Sequence, residues 1–206
     1  MVLLAIDTAT AACSVALIDE GRVVGERHEI VGRGHAERLV PMIAELPGGG
    51  RADAILVDCG PGSFTGVRVG LAAARALGLG WGARVHGFSS LALIAAGGFA
   101  AEAAATTVTV AIAGGHGELF VQRFARGPLR ALTELASLPP AEAGCAFPDT
   151  LVLGSGAAAL VAARGSGEAR EALPRAAATL LLPPPLTALS PSPLYGRGPD
   201  ARPAAA

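Results

Sequence analysis

Short apolar runs closed by polar turns organise the first hundred residues. Val2 to Ile6 is an apolar run that ends in Asp7-Thr8-Ala9-Thr10. Ala12 to Ile18 reads as a second strand, Asp19-Glu20-Gly21 as a turn, and Arg22 to Ile30 as a third strand. Extended runs joined by an acidic turn that contains glycine predict a β-hairpin. Gly32 and Gly34 then break the chain before a helical segment from about His35 to Leu46, whose His35, Leu39, Met42, Ile43 and Leu46 share one face. Pro41 removes one backbone hydrogen bond there, so the helix either starts near Glu37 or bends at the proline. Pro47 to Gly50 is a loop and Ala54 to Val57 a buried strand. A glycine-rich turn, Gly60-Pro61-Gly62-Ser63-Phe64-Thr65-Gly66, launches a long helix from about Ser63 to Leu79. A brief strand around Arg84 to His86 and a helix from Ser89 to about Ala96 follow. The order βββαβαβα, with strands both paired and crossed over, predicts an α/β lobe on a mixed sheet.

The second half has fewer clear elements. Gly97-Gly98 and the alanine run to Ala105 read as a boundary, which divides the chain into a first α/β lobe, residues 1–97, and a second, reduced lobe, residues 98–206. Thr106 to Ala113 is β-rich, Glu118 to Phe124 alternates as its hairpin partner, and Leu151 to Leu153 is another short strand. From Gly165 onward Ala, Gly, Pro and Leu dominate, which predicts an irregular tail.

Composition narrows the class. Apolar residues are 51% of the chain but aromatics only 4%, so the core must be aliphatic. The net charge of −1, from 16 basic and 17 acidic residues, offers no broad electrostatic footprint for nucleic acid or an anionic membrane. Cys13, Cys59 and Cys145 form no Cys-x-x-Cys pair, which argues against a disulfide framework or a cysteine metal site. The start lacks a basic n-region, and charges and glycines interrupt every apolar run despite a mean hydropathy of +0.50. The expectation is a reduced, cytoplasmic protein.

Two segments carry candidate chemistry. Asp7, Thr8 and Thr10 have the character of a phosphate-approach loop, or else of a capped strand end that satisfies its own backbone. The turn before the long helix lacks the Lys-Ser/Thr ending of a nucleotide P-loop, although Ser63 and Thr65 can cap the helix and its N-terminus could take an anion. Gly66, Gly70, Ala74 and Gly78 recur every four residues. Glycine in a helix costs about 1 kcal/mol relative to alanine, so the stripe needs a packing reason. It either lies on the chain's own sheet or points outward to the helix of another subunit. His28, His35, His86 and His116 never fall in a His-x-x-x-His pattern, Gly154-Ser155-Gly156 lacks nucleophile-elbow spacing, and Cys59 reads as a core residue.

Three stretches together resemble the TsaB family of bacterial tRNA-modification proteins: Leu4 to Thr10 with Cys13 to Leu17, His35 to Ile43, and Gly60 to Gly70. The likeness is close over residues 1 to about 96, and Pro193-Leu194-Tyr195, Arg197 and Pro199-Asp200-Ala201 are similar to the family's C-terminal ending. The resemblance implies an actin-like, sugar-kinase-like (ASKHA) α/β fold of two related lobes with mixed sheets flanked by helices. It further implies an accessory subunit that is not itself an enzyme, working beside a paralogous catalytic subunit, TsaD, and a small ATPase, TsaE, in threonylcarbamoyl transfer to adenosine 37 of tRNA. ATP and Mg would be used by the complex and not held tightly by this subunit, and tRNA would be met only through the complex. No membrane is involved.

Carried onto this chain, the resemblance places the partner interface at His35, Leu39, Ile43, Gly66, Arg68, Gly70 and Ala74, with a homodimer through the same helices when the chain is alone. Asp7, Thr8 and Thr10 would be vestiges of a nucleotide site. The chain departs from the family at Ile112-Ala113-Gly114-Gly115, where such proteins often carry Ile-Asp-Ala-Arg. The alternative is a nucleotide-hydrolysing or peptidase-like enzyme that uses the Asp7/Thr8/Thr10 turn.

Overall fold

A computed structural model describes residues 1–196. Strands β1 (Val2–Asp7), β2 (Ala12–Asp19) and β3 (Arg22–Ile30) form an antiparallel meander. Its second turn is a two-residue connection, with Glu20 at φ 47° and Gly21 at φ 75°, the left-handed pair that matches the twist of a tight hairpin. Helix α1 (His35–Ala44) starts at His35, not Glu37, and carries Pro41 inside it. The chain returns through β4 (Ala54–Asp58), helix α2 (Phe64–Trp81) and β5 (Arg84–Phe88), both strands parallel to their neighbours. The first sheet runs β3-β2-β1-β4-β5. Alternation splits its residues between two faces. Leu4, Ile6, Val15, Leu17, Ile55 and Val57 meet Leu39, Met42 and Ile43 of α1 and Val67, Leu71 and Ala74 of α2.

Helix α3 (Ser90–Ala101) lies on the opposite face of that sheet. It is apolar all round and buried, as a helix enclosed on every side must be. Leu56 and Phe88 cover it from the first sheet, and Val108, Val110, Phe124 and Leu153 from the second. Gly97 and Gly98, read from sequence as a boundary, lie inside this helix, and the Leu153 side chain occupies the place of a Gly98 Cβ.

The second sheet holds β6 (Thr107–Ala113), β7 (Leu119–Ala125), β8 (Arg130–Ala131), β9 (Ala136–Leu138), β10 (Leu151–Leu153) and β11 (Glu168–Arg170). Its order is β11-β10-β6-β7-β8, with β9 also on β7. Helices α4 (Pro140–Ala146) and α5 (Ala157–Arg164) pack on each other. The buried Asp149 ties this half together, accepting from Arg123 at 2.7 and 2.8 Å and from Thr109 at 2.6 Å. Burial would raise its carboxyl, but bonds from Arg123 and Thr109 hold it below the usual range.

The segment after β11 is irregular up to residue 196, with 3-10 turns at Ala176–Leu181 and Pro184–Leu186, but it is packed against the first sheet. It crosses back over the first sheet, where Ala176 packs with Ala5, Ala16 and Ile18, and its N–H donates to the buried Ser14 Oγ at 2.9 Å. Arg175 pairs with Glu26 at 3.0 Å. Leu189 then bridges the outer strand β5 through reciprocal bonds with Gly87 of 2.8 and 3.1 Å. Leu194 N–H donates to Cys59 O at 2.8 Å. The ending noted at Arg197 and Pro199 to Ala201 lies outside the described residues.

Ser14→Ala would leave the Ala176 N–H buried without an acceptor, so it should cost about 1–3 kcal/mol of unfolding free energy in a urea titration. An unchanged midpoint would show that this segment is not integral to the first sheet.

Candidate docking helices and cleft

The turn between β4 and α2 is held against the turn after β1. Ser63 N–H donates to Ala9 O at 2.7 Å, and Thr8 Oγ1 donates to Gly66 O at 2.7 Å. Ser63 Oγ caps α2 by accepting from Gly66 N–H at 3.2 Å. This contact is possible because glycine stands wherever the two backbones meet. A Cβ on Gly62 would run into Ala9 O, and one on Gly66 into Thr8 O. On Gly70 it would sit 2.5 Å from Thr8 Oγ1, and on Gly78 2.6 Å from Val85 Cγ2.

The stripe therefore faces inward, against the chain's own sheet, and the outward reading of Gly66, Gly70 and Ala74 is corrected. His35, Leu39 and Ile43 of α1 are likewise buried, with His35 Nε2 3.2 Å from Ala12 O. Of the seven residues assigned to the interface, Arg68 alone stays partly exposed, and it is engaged within the chain. Its guanidinium lies over the Phe64 ring at 3.3 Å and donates to Phe64 O at 2.9 Å and to Tyr195 OH at 3.0 Å.

The solvent sides of the same helices carry a different set. The exposed apolar ones on α1 are Ala36, Val40, Pro41 and Ala44, beside Glu37, and on α2 Ala72, Ala76 and Leu79, beside Arg75. The two helices pack on each other. Val40 is 57% exposed and Leu79 88%, large values for aliphatic side chains on neighbouring helices. On α2 the periodicity contained this face too, at Ala72 and Ala76, but it was masked by the glycine repeat two positions away.

Asp7 and Thr8 are sealed from solvent, while Thr10 lines a cleft of about 1120 Å³. One wall holds Thr10, Ser63, Phe64 and Arg68; the other holds Ala113, Gly115, His116, Phe120 and Ser155, with Tyr195 at the edge. Ala113 and Gly115, where the resemblance expects an acid and a base, contribute no charge to that wall. The vestigial nucleotide site is thus not assembled as expected, since two of its three residues do not reach the cleft.

Two mixed sheets flanked by helices, with a cleft where their loops meet, define an actin-like, sugar-kinase-like α/β protein. The chain belongs to the TsaD family, described as tRNA N6-adenosine threonylcarbamoyltransferase, whose family model matches residues 24–176, and within it to the TsaB/YeaZ proteins. It is 40% identical over 131 residues to the Escherichia coli K12 tRNA threonylcarbamoyladenosine biosynthesis protein TsaB, a match that covers 61% of this chain and 56% of that one. The chain thus spans little more than half the length of the curated relatives it matches. A Pseudomonas aeruginosa protein described by its similarity to the peptidase YeaZ superposes with a TM-score of 0.80 at 31% identity, covering 95% of this chain and 99% of that one. YeaZ from Pseudomonas aeruginosa gives 0.78 at 29% identity, with 94% and 99% covered.

Because Gly70 meets Thr8 Oγ1, Gly70→Ala should lower stability by about 1–3 kcal/mol, read from chemical denaturation. Full stability in that variant would mean that the inner face of α2 tolerates a side chain and is not closely packed.

Proposed function

We propose that the chain is a non-catalytic partner subunit in threonylcarbamoyladenosine formation at position 37 of tRNA, docking onto a TsaD-type catalytic subunit through the solvent side of α1 and α2. The observation that carries this reading is the exposure of Val40 on α1 and Leu79 on α2, two helices that pack on each other and whose other sides are committed to the first sheet. An apolar face of this kind suits burial against a second helix pair. The curated relatives named for threonylcarbamoyladenosine biosynthesis supply the pathway, and the match to the TsaD family supports a paralogous partner. ATP and Mg are then handled by the complex together with a TsaE-type ATPase, and tRNA is met through it. Alone, the chain pairs with a second copy through the same face.

The enzyme alternative has less support. A hydrolase using Asp7 and Thr8 needs them at a solvent-accessible site, whereas they are 0% and 1% exposed.

A Val40→Glu, Leu79→Arg double variant places charge on the docking face and touches nothing in the core. It should bind the TsaD-type subunit at least about tenfold more weakly by calorimetry, with an unchanged melting temperature, because apolar interface anchors typically carry upward of 1 kcal/mol each. Wild-type affinity in a folded variant would remove the docking assignment.

A further inference from the structure

Asp7 ends β1 and Asp58 ends β4, one step beyond the parallel pairing of Ile6 with Val57. The two carboxyls are 0% and 1% exposed. One oxygen of each is satisfied by its own turn: Asp7 Oδ1 accepts from Ala9 N–H at 3.2 Å, and Asp58 Oδ1 from Gly60 N–H at 2.7 Å with Ser90 Oγ 3.1 Å away. The other oxygens, Asp7 Oδ2 and Asp58 Oδ2, are buried and have no donor from any other group among the described residues. Two buried carboxylates side by side would repel with no compensating donor, a cost that a proton between them removes.

Among the described residues no cation is placed to do this instead. Burial, with the nearby charge of Asp7 and of Asp58 respectively, pushes the thiols of Cys13 on β2 and Cys59 after β4 up to about 11, so both are neutral. The start of α3 contributes the Ser90 hydroxyl, and α2 presents Gly66 and Gly70 through Thr8. Arg38 of α1 is paired with Glu29 and Glu45, and Arg75 of α2 donates to Pro191 O. What bears on Asp7 is burial first, then the Asp58 charge and a bond to Asp58, all of which raise it well above the ordinary aspartate range. Asp58 is raised by burial, with the bonds from Asp7, Gly60 and Ser90 acting against this.

We propose that Asp7 and Asp58 fold as one acid–carboxylate unit holding a single proton at neutral pH, so that proton uptake is built into the folding of this half of the chain. In the unfolded chain both aspartates are ionised at neutral pH, and a proton must be bound as β1, β4 and the start of α2 come together. A group raised on folding stabilises fully below its unfolded value, and that contribution fades as pH rises toward the folded value. Over that interval, above about 3.8 and up to the value the pair adopts when folded, the folded-to-unfolded ratio falls about tenfold per pH unit on account of this proton. His28, lowered by burial and by Arg175, acts in the opposite sense below its ordinary value and is common to any variant of the pair.

Asp7→Asn supplies a permanent amide donor where the shared proton sits. Urea unfolding of the full chain between pH 5 and pH 7 should show the wild type losing stability relative to Asp7→Asn by about tenfold in the folding equilibrium per pH unit. Parallel pH curves for the two proteins would overturn the proposal. A second measurement does not depend on the variant folding. Infrared spectra of the folded wild type at pH 7 should contain the carbonyl band of a protonated carboxyl, lost when the same chain is unfolded by heat. A wild-type spectrum with ionised carboxylates only would equally overturn it.

Discussion

The contact between the start of α2 and the turn after β1 governs the layout of the first half of the chain. Backbone meets backbone there, and Thr8 spans the gap with its hydroxyl bonded to Gly66 O at 2.7 Å. Every consequence for function follows from that closeness. The α2 face that carries the glycine repeat is used up inside the molecule, Asp7 and Thr8 are shut away from the cleft, and the side of α2 bearing Ala72, Ala76 and Leu79 remains for solvent or a partner.

That contact is reinforced from outside the first sheet. The chain leaves the second sheet at β11, lines the face of the first sheet left bare beside α3, bridges β5, and ends its described course with Tyr195 on Arg68. Arg68 therefore links the start of α2 to the far end of the chain, while Phe64 stacks beneath its guanidinium. The buried Asp7/Asp58 unit lies behind the same junction, so electrostatics and packing meet at one place.

Much of the first half was legible in the sequence because each element there has a simple signature. Short apolar runs closed by polar turns marked β1 to β3, and the glycine-rich turn marked the start of α2. What misled was the glycine repeat, since a stripe of small residues states that something comes close without stating what. Thr8 and Val85 are the answer, and Thr8 is distant in sequence from the glycines it meets. Gly97-Gly98 do not break the helix for a related reason: Gly98 is small to admit Leu153, and α3 continues through it to Ala101. The short helices α4 and α5 and the returning segment after Arg170 are built from Ala, Gly, Pro and Leu, which carry no periodic signal strong enough to separate strap from tail. The partner of Asp7 was equally invisible, because nothing in the chain's order joins it to Asp58.

The central claim is that the inner faces of α1 and α2 belong to this chain and their outer faces to a partner. Amide hydrogen exchange, measured with and without a TsaD-type subunit, tests it most directly. Added protection across residues 36–44 and 72–81 is the predicted result. Protection confined to the cleft at residues 112–120 and 193–196, with the two helices unchanged, would contradict it.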